Sequence, residues 1–171
     1  MLGVDALSAG PGAGWPLPLR GVLDEAAHLA TAWLVLAAAG LRTRQPLVAW
    51  ALLAVVTIDV DHVPLYLGVP LATMPGGRPV THSLALAAVL VAAALLARRR
   101  RTALLGLSLG VLLHLARDLF SGWGAPLLWP LLPVNVRLPL AAHAVALALL
   151  TGVAVAVRTA RPVSGAVADA P

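Results

Sequence analysis

The sequence predicts an all-α, multi-pass transmembrane bundle of about five helices, and three observations carry that prediction. The 171-residue chain is 60% hydrophobic and 11% charged, with a mean hydropathy of +0.92, whereas soluble domains carry about 25% charged residues. Its apolar residues fall into segments near the length of about 20 residues that crosses a bilayer core. The arginines and prolines gather between those segments rather than inside them.

Residues 1–20 are rich in Gly and Pro and lack a basic n-region, which predicts a flexible or interfacial tail rather than a signal peptide. Residues 21–158, with no internal repeat and no linker, read as one five-helix membrane domain. Its first segment covers 22–40 and stops at Arg42 and Arg44. The second follows Pro46 and runs to 63, closing on Asp59-Val60-Asp61-His62. After a polar loop at 69–79, the third and shortest covers 81–97 and stops at the run Arg98 to Arg101. The fourth covers 102–120 and the fifth 139–157, which stops at Arg158 and Arg161. Residues 159–171 read as a disordered tail.

With no cysteine, disulfides and thiolate metal sites are excluded. All 12 basic residues are Arg. A pI near 11.5 would suit nucleic acid, but these arginines lie in short inter-helix loops, where membrane topology accounts for them, so no direct nucleic-acid binding is expected. Arg42, Arg44, Arg98 to Arg101, Arg158 and Arg161 fall at alternate helix ends, hence on one side. The positive-inside rule makes that side cytoplasmic, with the amino terminus outside an inner cell membrane of bacterial type. Trp15, Tyr66, Phe120, Trp123 and Trp129 then fall near the outer boundary, as an aromatic belt would.

On that map all five histidines lie at the outer face. His28, with Asp24 and Glu25 before it, is in the outer half of the first segment. Asp59, Asp61 and His62 end the second, and Arg78, Thr81, His82 and Ser83 open the third. His114 and Asp118 close the fourth, four residues apart and therefore on one helix face. His143 lies one turn into the fifth. Each has an ordinary structural reading. Asp24 and Glu25 favour a helix N-terminus, Thr81 and Ser83 suit an N-cap, and Asp118 can pair with Arg117. Ionisable groups inside a membrane are nonetheless expensive and usually functional, and scattered structural histidines would occupy both faces equally.

Imidazole with carboxylate suits zinc, and also manganese or non-haem iron. His28, Asp59, Asp61, His62, His82, His114 and Asp118 exceed what one tetrahedral ion needs, so one or two ions fit. Two ions would clamp and cleave a phosphoester. Arg78 would face a phosphate oxygen, Asp61 or Asp118 would bridge ions or act as base, and Asp24 would support His28.

The strings Asp59-Val60-Asp61-His62, Arg78-Pro79-Val80-Thr81-His82-Ser83, His114 with Asp118, and Gly124-Ala125-Pro126-Leu127-Leu128-Trp129-Pro130 together resemble the YdjM-like family of membrane-bound metal-dependent hydrolases. The likeness runs from His28 to about Pro139. It implies a distant similarity to zinc-dependent phospholipase C and P1-type nucleases, all-helical enzymes with clustered His and Asp. It further implies metal-site roles for the seven residues named above, with Arg78 lining the site. Two departures stand out: Gly77 occupies a position where some relatives have His, and a carboxylate after the Leu-Pro segment is missing. The number of ions therefore stays open.

The expected function is hydrolysis of a phosphoester, most naturally lipid-linked, by metal-activated water at the outer membrane face. Membrane lipid is the expected partner and divalent metal, first of all zinc, the cofactor. The alternative is a divalent-metal-binding membrane protein for sensing, transport or structure, without hydrolysis. Transport would call for polar residues continuing inward, and there only Gly106, Ser108 and Gly110 break the apolar run.

Overall fold

The computed structural model describes residues 2–69, 73, 79–122 and 124–160. Arg78, Trp123 and the expected tail from 161 onward lie outside the described residues. The elements are α1 (Leu2–Ala9), α2 (Leu17–Ala38), α3 (Pro46–Thr57), α4 (His62–Tyr66), α5 (Leu84–Leu96), α6 (Arg101–Asp118) and α7 (Leu140–Thr159). Short 3-10 turns occupy Pro11–Gly14, Ile58–Asp61 and Arg98–Arg100. Among the described residues, β-structure amounts to two isolated bridges, Thr73 with Pro79 and Ala125 with Val136.

Proline and glycine set the helix ends. Pro18 and Pro46 stand in the opening turns of α2 and α3, where a missing N–H costs no hydrogen bond and φ is already helical. Gly40 ends α2 with φ 72°. The Leu41 N–H then reaches back to the Leu36 carbonyl at 2.9 Å and the Gly40 N–H to Ala37 at 3.0 Å, the two bonds of a Schellman cap.

Helix α6 is the hub: α3, α5 and α2 all pack on it, and α7 packs on α2. Gly106 and Gly110 set the closest of these contacts. A Cβ on Gly106 would lie 2.6 Å from the Leu47 carbonyl oxygen, and one on Gly110 would strike the Ala51 carbonyl and lie 2.6 Å from the Ala54 Cβ. The small residues therefore let α3 lie against the α6 backbone. Ser108, the third interruption in that apolar run, donates to the Ala87 carbonyl at 3.0 Å. All three residues serve packing, and they do not begin a polar path. Ala32, Leu36, Val48, Val55 and Leu113 form one buried cluster, and Ile58, Ala87, Val111, Leu115 and Ala125 another.

Leu17–Ala38, Pro46–Pro64 and Leu140–Thr159 are long and apolar enough to cross a membrane. Many large apolar side chains on α5 and α7, among them Val89, Leu95, Val145 and Leu149, point outward, as lipid-facing positions do. Helix α5, with 13 residues, is about 20 Å long, shorter than a full hydrocarbon core. Helix α6 has the length but carries Arg101, Arg117 and Asp118.

Three expectations need correction. The segment read as a loose or interfacial tail contains α1, and α2 begins at Leu17, five residues before the expected start. Asp5 of α1 ion-pairs with buried Arg117 at 2.6 Å, which explains why this amino-terminal segment folds back on the bundle. Phe120 stacks on the buried His143 ring, with centroids 4.9 Å apart, so it is an internal contact rather than part of an aromatic belt.

Candidate metal centre

Two groups of metal-competent side chains meet at one end of the bundle. His28, His114 and Asp118 form a wholly buried set, and Asp59, Asp61, His62 and His82 form a second, partly open set. Within each, donor atoms lie within 4.8 Å of one another. These are the seven residues picked out from the sequence.

The buried set is built from two long helices. His114 and Asp118 are one turn apart on α6, with Nε2 and Oδ2 separated by 3.6 Å. Across from them, His28 on α2 brings its Nε2 to 3.2 Å from Asp118 Oδ1. The two imidazoles stack at 3.9 Å. The backbone fixes each ring: His28 Nδ1 is 3.0 Å from the Asp24 carbonyl and His114 Nδ1 is 2.8 Å from the Val55 carbonyl. A carbonyl can only accept, so Nδ1 carries a proton in both rings, and each Nε2 is turned into the site, where His28 Nε2 meets the Asp118 carboxylate. The support from Asp24 is through its main chain, while its carboxylate lies 3.8 Å from His28 Nδ1 and accepts from Arg117.

The open set comes from the end of the second span and the approach to α5. After Thr57 the helix tightens into the 3-10 turn Ile58–Asp61, which presents Asp59, Asp61 and His62 together. His62 Nδ1 is 3.0 Å from Asp61 Oδ1 and 3.4 Å from Asp59 Oδ1. His82, just before α5, sets Nε2 2.9 Å from Asp59 Oδ1 and Nδ1 3.4 Å from Asp61 Oδ2. Thr81 Oγ1 donates to Asp61 Oδ2, and the Leu84 N–H holds the Leu127 carbonyl at 3.0 Å, which ties this turn to the loop after α6. Burial works to lower the His82 pKa, but its hydrogen bond to Asp59 and the negative charge of Asp61 and Asp118 prevail and push it up to about 9.

Asp59 joins the two sets. Its Oδ1 is also 3.3 Å from His114 Nε2, so this carboxylate stands against histidines of both sets. Glu25, three residues before His28, also belongs here. Its oxygens are closed off from solvent and face the Asp59 carboxylate. Sequence reasoning assigned it to the helix dipole, although the i, i+3 spacing to His28 already puts both on one face.

This donor set fits a cation. His114 Nε2, His82 Nδ1 and Asp61 Oδ1 are buried without a hydrogen-bond partner. His114 Nε2 stands between the Asp59 and Asp118 carboxylates without a hydrogen bond, a position that positive charge, as a proton or a metal ion, would satisfy. The carbonyl-held Nδ1 atoms are also the outer support that metal-ligating histidines use. Asp59, Asp61 and Asp118 together would offset three of the four charges of two divalent ions.

Arg117 turns away from Asp118, its sequence neighbour, and donates through Nη2 to Asp5 at 2.6 Å and Asp24 at 3.4 Å. That pairing keeps a buried cation from opposing metal in the adjacent set. His143 belongs with this network: its Nδ1 is 3.6 Å from Asp5 Oδ2. It joins neither donor set, so four of the five histidines converge.

Fold and site together define a helical membrane protein whose clustered histidines and carboxylates are able to hold metal ions. The chain belongs to the YdjM inner membrane protein family, whose profile matches residues 23–169. Neither the curated proteins nor the solved structures give a significant match.

Proposed function

We propose that this protein is a membrane-bound, metal-dependent hydrolase of a phosphoester, with its site at the non-cytoplasmic face. The observation that carries the reading is the sharing of Asp59 between a buried and an open donor set, the geometry of a two-ion centre. The arginine runs support the orientation, since Arg98 to Arg101 lie at the ends of α5 and α6 remote from the cluster.

His28, His114 and Asp118 would hold one ion, His62, His82 and Asp61 the other, and Asp59 both. Two such ions, zinc first by donor chemistry, would supply Lewis acidity to the phosphoryl oxygens and acidify water. The chain's residues do the rest. The backbone carbonyls of Asp24 and Val55 keep the imidazoles oriented, and the Thr81 hydroxyl holds Asp61. Asp61, on the open side, takes a proton from water as its oxygen bonds to phosphorus, and returns that proton to the leaving alcohol oxygen as the old P–O bond breaks. Asp118 stays ionised as a ligand. Arg78, assigned from sequence alone, would set a fixed cation against a phosphate oxygen.

Packing favours this over transport. Gly106, Ser108 and Gly110 are consumed by helix contacts, so no polar path leads inward from the cluster among the described residues. The test is the metal content of the purified protein together with phosphodiester turnover, with and without chelator. About two bound ions and chelator-sensitive turnover are expected. A metal-loaded protein inert toward every phosphoester class would leave the non-hydrolytic metal-binding reading in its place.

A further inference from the structure

Helices α3 and α5 both pack on α6 but have no substantial interface with each other. Between them lies a cleft of about 340 Å³ with α6 as its floor. Its walls are Ala54 and Ile58 from α3, Leu86 and Leu90 from α5, and Leu107 and Val111 from α6. Thr57, which also borders it, spends its hydroxyl on the Leu53 carbonyl at 2.9 Å. The cleft is therefore apolar along its length, and only its head is polar, where Asp61 and Thr81 close it. Asp61 is also a member of the open donor set.

The direction of the cleft matters as much as its lining. On α6, Leu107 lies seven residues before His114, about 10 Å along the helix axis, and on α5 Leu90 lies eight residues beyond His82, a comparable distance. The cleft thus leaves the donor cluster and runs with the helices into the membrane. It opens sideways between α3 and α5, where the surroundings are hydrocarbon. A water-soluble phosphoester would have no use for such a channel, whereas a lipid needs its headgroup at the cluster and its tail in apolar surroundings. The volume lies at the lower end of the range for ligand cavities, about 300–1,000 Å³, which suits part of one chain rather than a whole two-chain lipid.

We infer that this cleft seats one hydrocarbon chain of a membrane phospholipid whose phosphoester is presented to Asp61 and the adjoining donors, the second chain remaining in the bilayer. The inference rests on the hydrolase reading for the fate of the headgroup, but seating of the chain is testable without turnover.

The protein in nanodiscs would be illuminated with a phospholipid carrying a diazirine in one acyl chain, and the labelled residues mapped. Label concentrated on Leu86, Leu90, Leu107 and Val111 over the outward-facing Val89 and Leu149 is the expected result. Even labelling of all lipid-facing positions, as an annular shell gives, would overturn the inference whatever the enzyme does. A second measurement compares turnover of a long-chain phospholipid with that of a water-soluble phosphodiester. Leu90→Trp and Leu107→Trp, which fill existing space, should each lower that ratio about tenfold or more, while Val89→Trp leaves it unchanged. A ratio unmoved by either filling variant rejects the cleft and leaves the hydrolase standing. Absence of turnover on both substrates, with label still concentrated in the cleft, rejects the hydrolase and keeps the lipid seat.

Discussion

The two donor sets share a carboxylate but are built on opposite principles. His28, His114 and Asp118 stand on the long helices α2 and α6, are almost wholly buried, and have both ring protons taken by main-chain carbonyls. Asp59, Asp61, His62 and His82 stand on a 3-10 turn and a helix approach, are held by side chains such as Thr81, and keep solvent contact only through the two carboxylates. The first arrangement suits an ion that stays, since packing of the bundle and order of the site are there the same event. The second suits exchange with substrate, and it is the set that opens onto the apolar cleft.

Removing the element common to both should have the largest effect. Asp59→Ala takes away the Oδ1 near His82, His62 and His114 at once. Phosphodiester turnover is expected to fall about 10³-fold or more, as when a unit of interdependent groups loses its centre, with bound metal dropping below one ion per chain. Retention of two ions in the variant, measured by elemental analysis, would show that the sets are independent.

The next contrast separates the sets. His28→Ala breaks a buried pair with Asp118, and loss of one partner of such a pair costs about 3–5 kcal/mol. A large fall in thermal midpoint in detergent is expected along with loss of metal. His62→Ala should cost metal and turnover while changing stability by no more than about 1 kcal/mol, because its carboxylate neighbours keep solvent contact. Equal destabilisation by the two substitutions would erase the distinction between a structural and an exchangeable ion.

The same contrast explains what could be read in the sequence. Local geometry was legible: His114 and Asp118 at i, i+4, the Asp59 to His62 string, and His82 at the start of a helix. So was the side on which they gather, because helix length and the arginine runs fix which ends lie together. The junction at Asp59 was not. It depends on how closely α3 approaches α6, which Gly106 and Gly110 set by absence of side chains, and no spacing rule reports that distance. Arg117 and Asp5 are separated by 112 positions, and α1 spans only eight residues, closed by Gly10 and Pro11, a signal that serves a loop as well as a helix end. The Arg117–Asp118 pairing suggested by adjacency fails because successive residues on a helix point about 100° apart.

A smaller effect probes the support of the open set. Thr81→Val keeps the shape and removes the hydroxyl that Asp61 accepts. Loss of an outer partner of a metal ligand typically costs 10–100-fold in affinity, so a fall of about that size is expected for the weaker of two ions, with Thr81→Ser restoring it. The tighter ion should be unaffected. A parallel weakening of both would mean that the open set supports the closed one.

The mildest prediction concerns pH and follows from His82. With its pKa raised to about 9 by Asp59, Asp61 and Asp118 in the metal-free protein, this imidazole is protonated at neutral pH, and an ion entering the open set must displace that proton. The sign is therefore fixed: affinity rises with pH, by about tenfold per unit while one proton is released, and levels off once His82 is neutral in the free protein. Calorimetric titration with zinc in buffers of different ionisation enthalpy, stepped upward from pH 6.5, reads the proton count directly. Asp61→Asn removes one of the carboxylates that hold the proton on His82, so the levelling-off should move to lower pH even as binding weakens. A steep profile unchanged by Asp61→Asn would place the released proton on another group and detach the pH response from the open set.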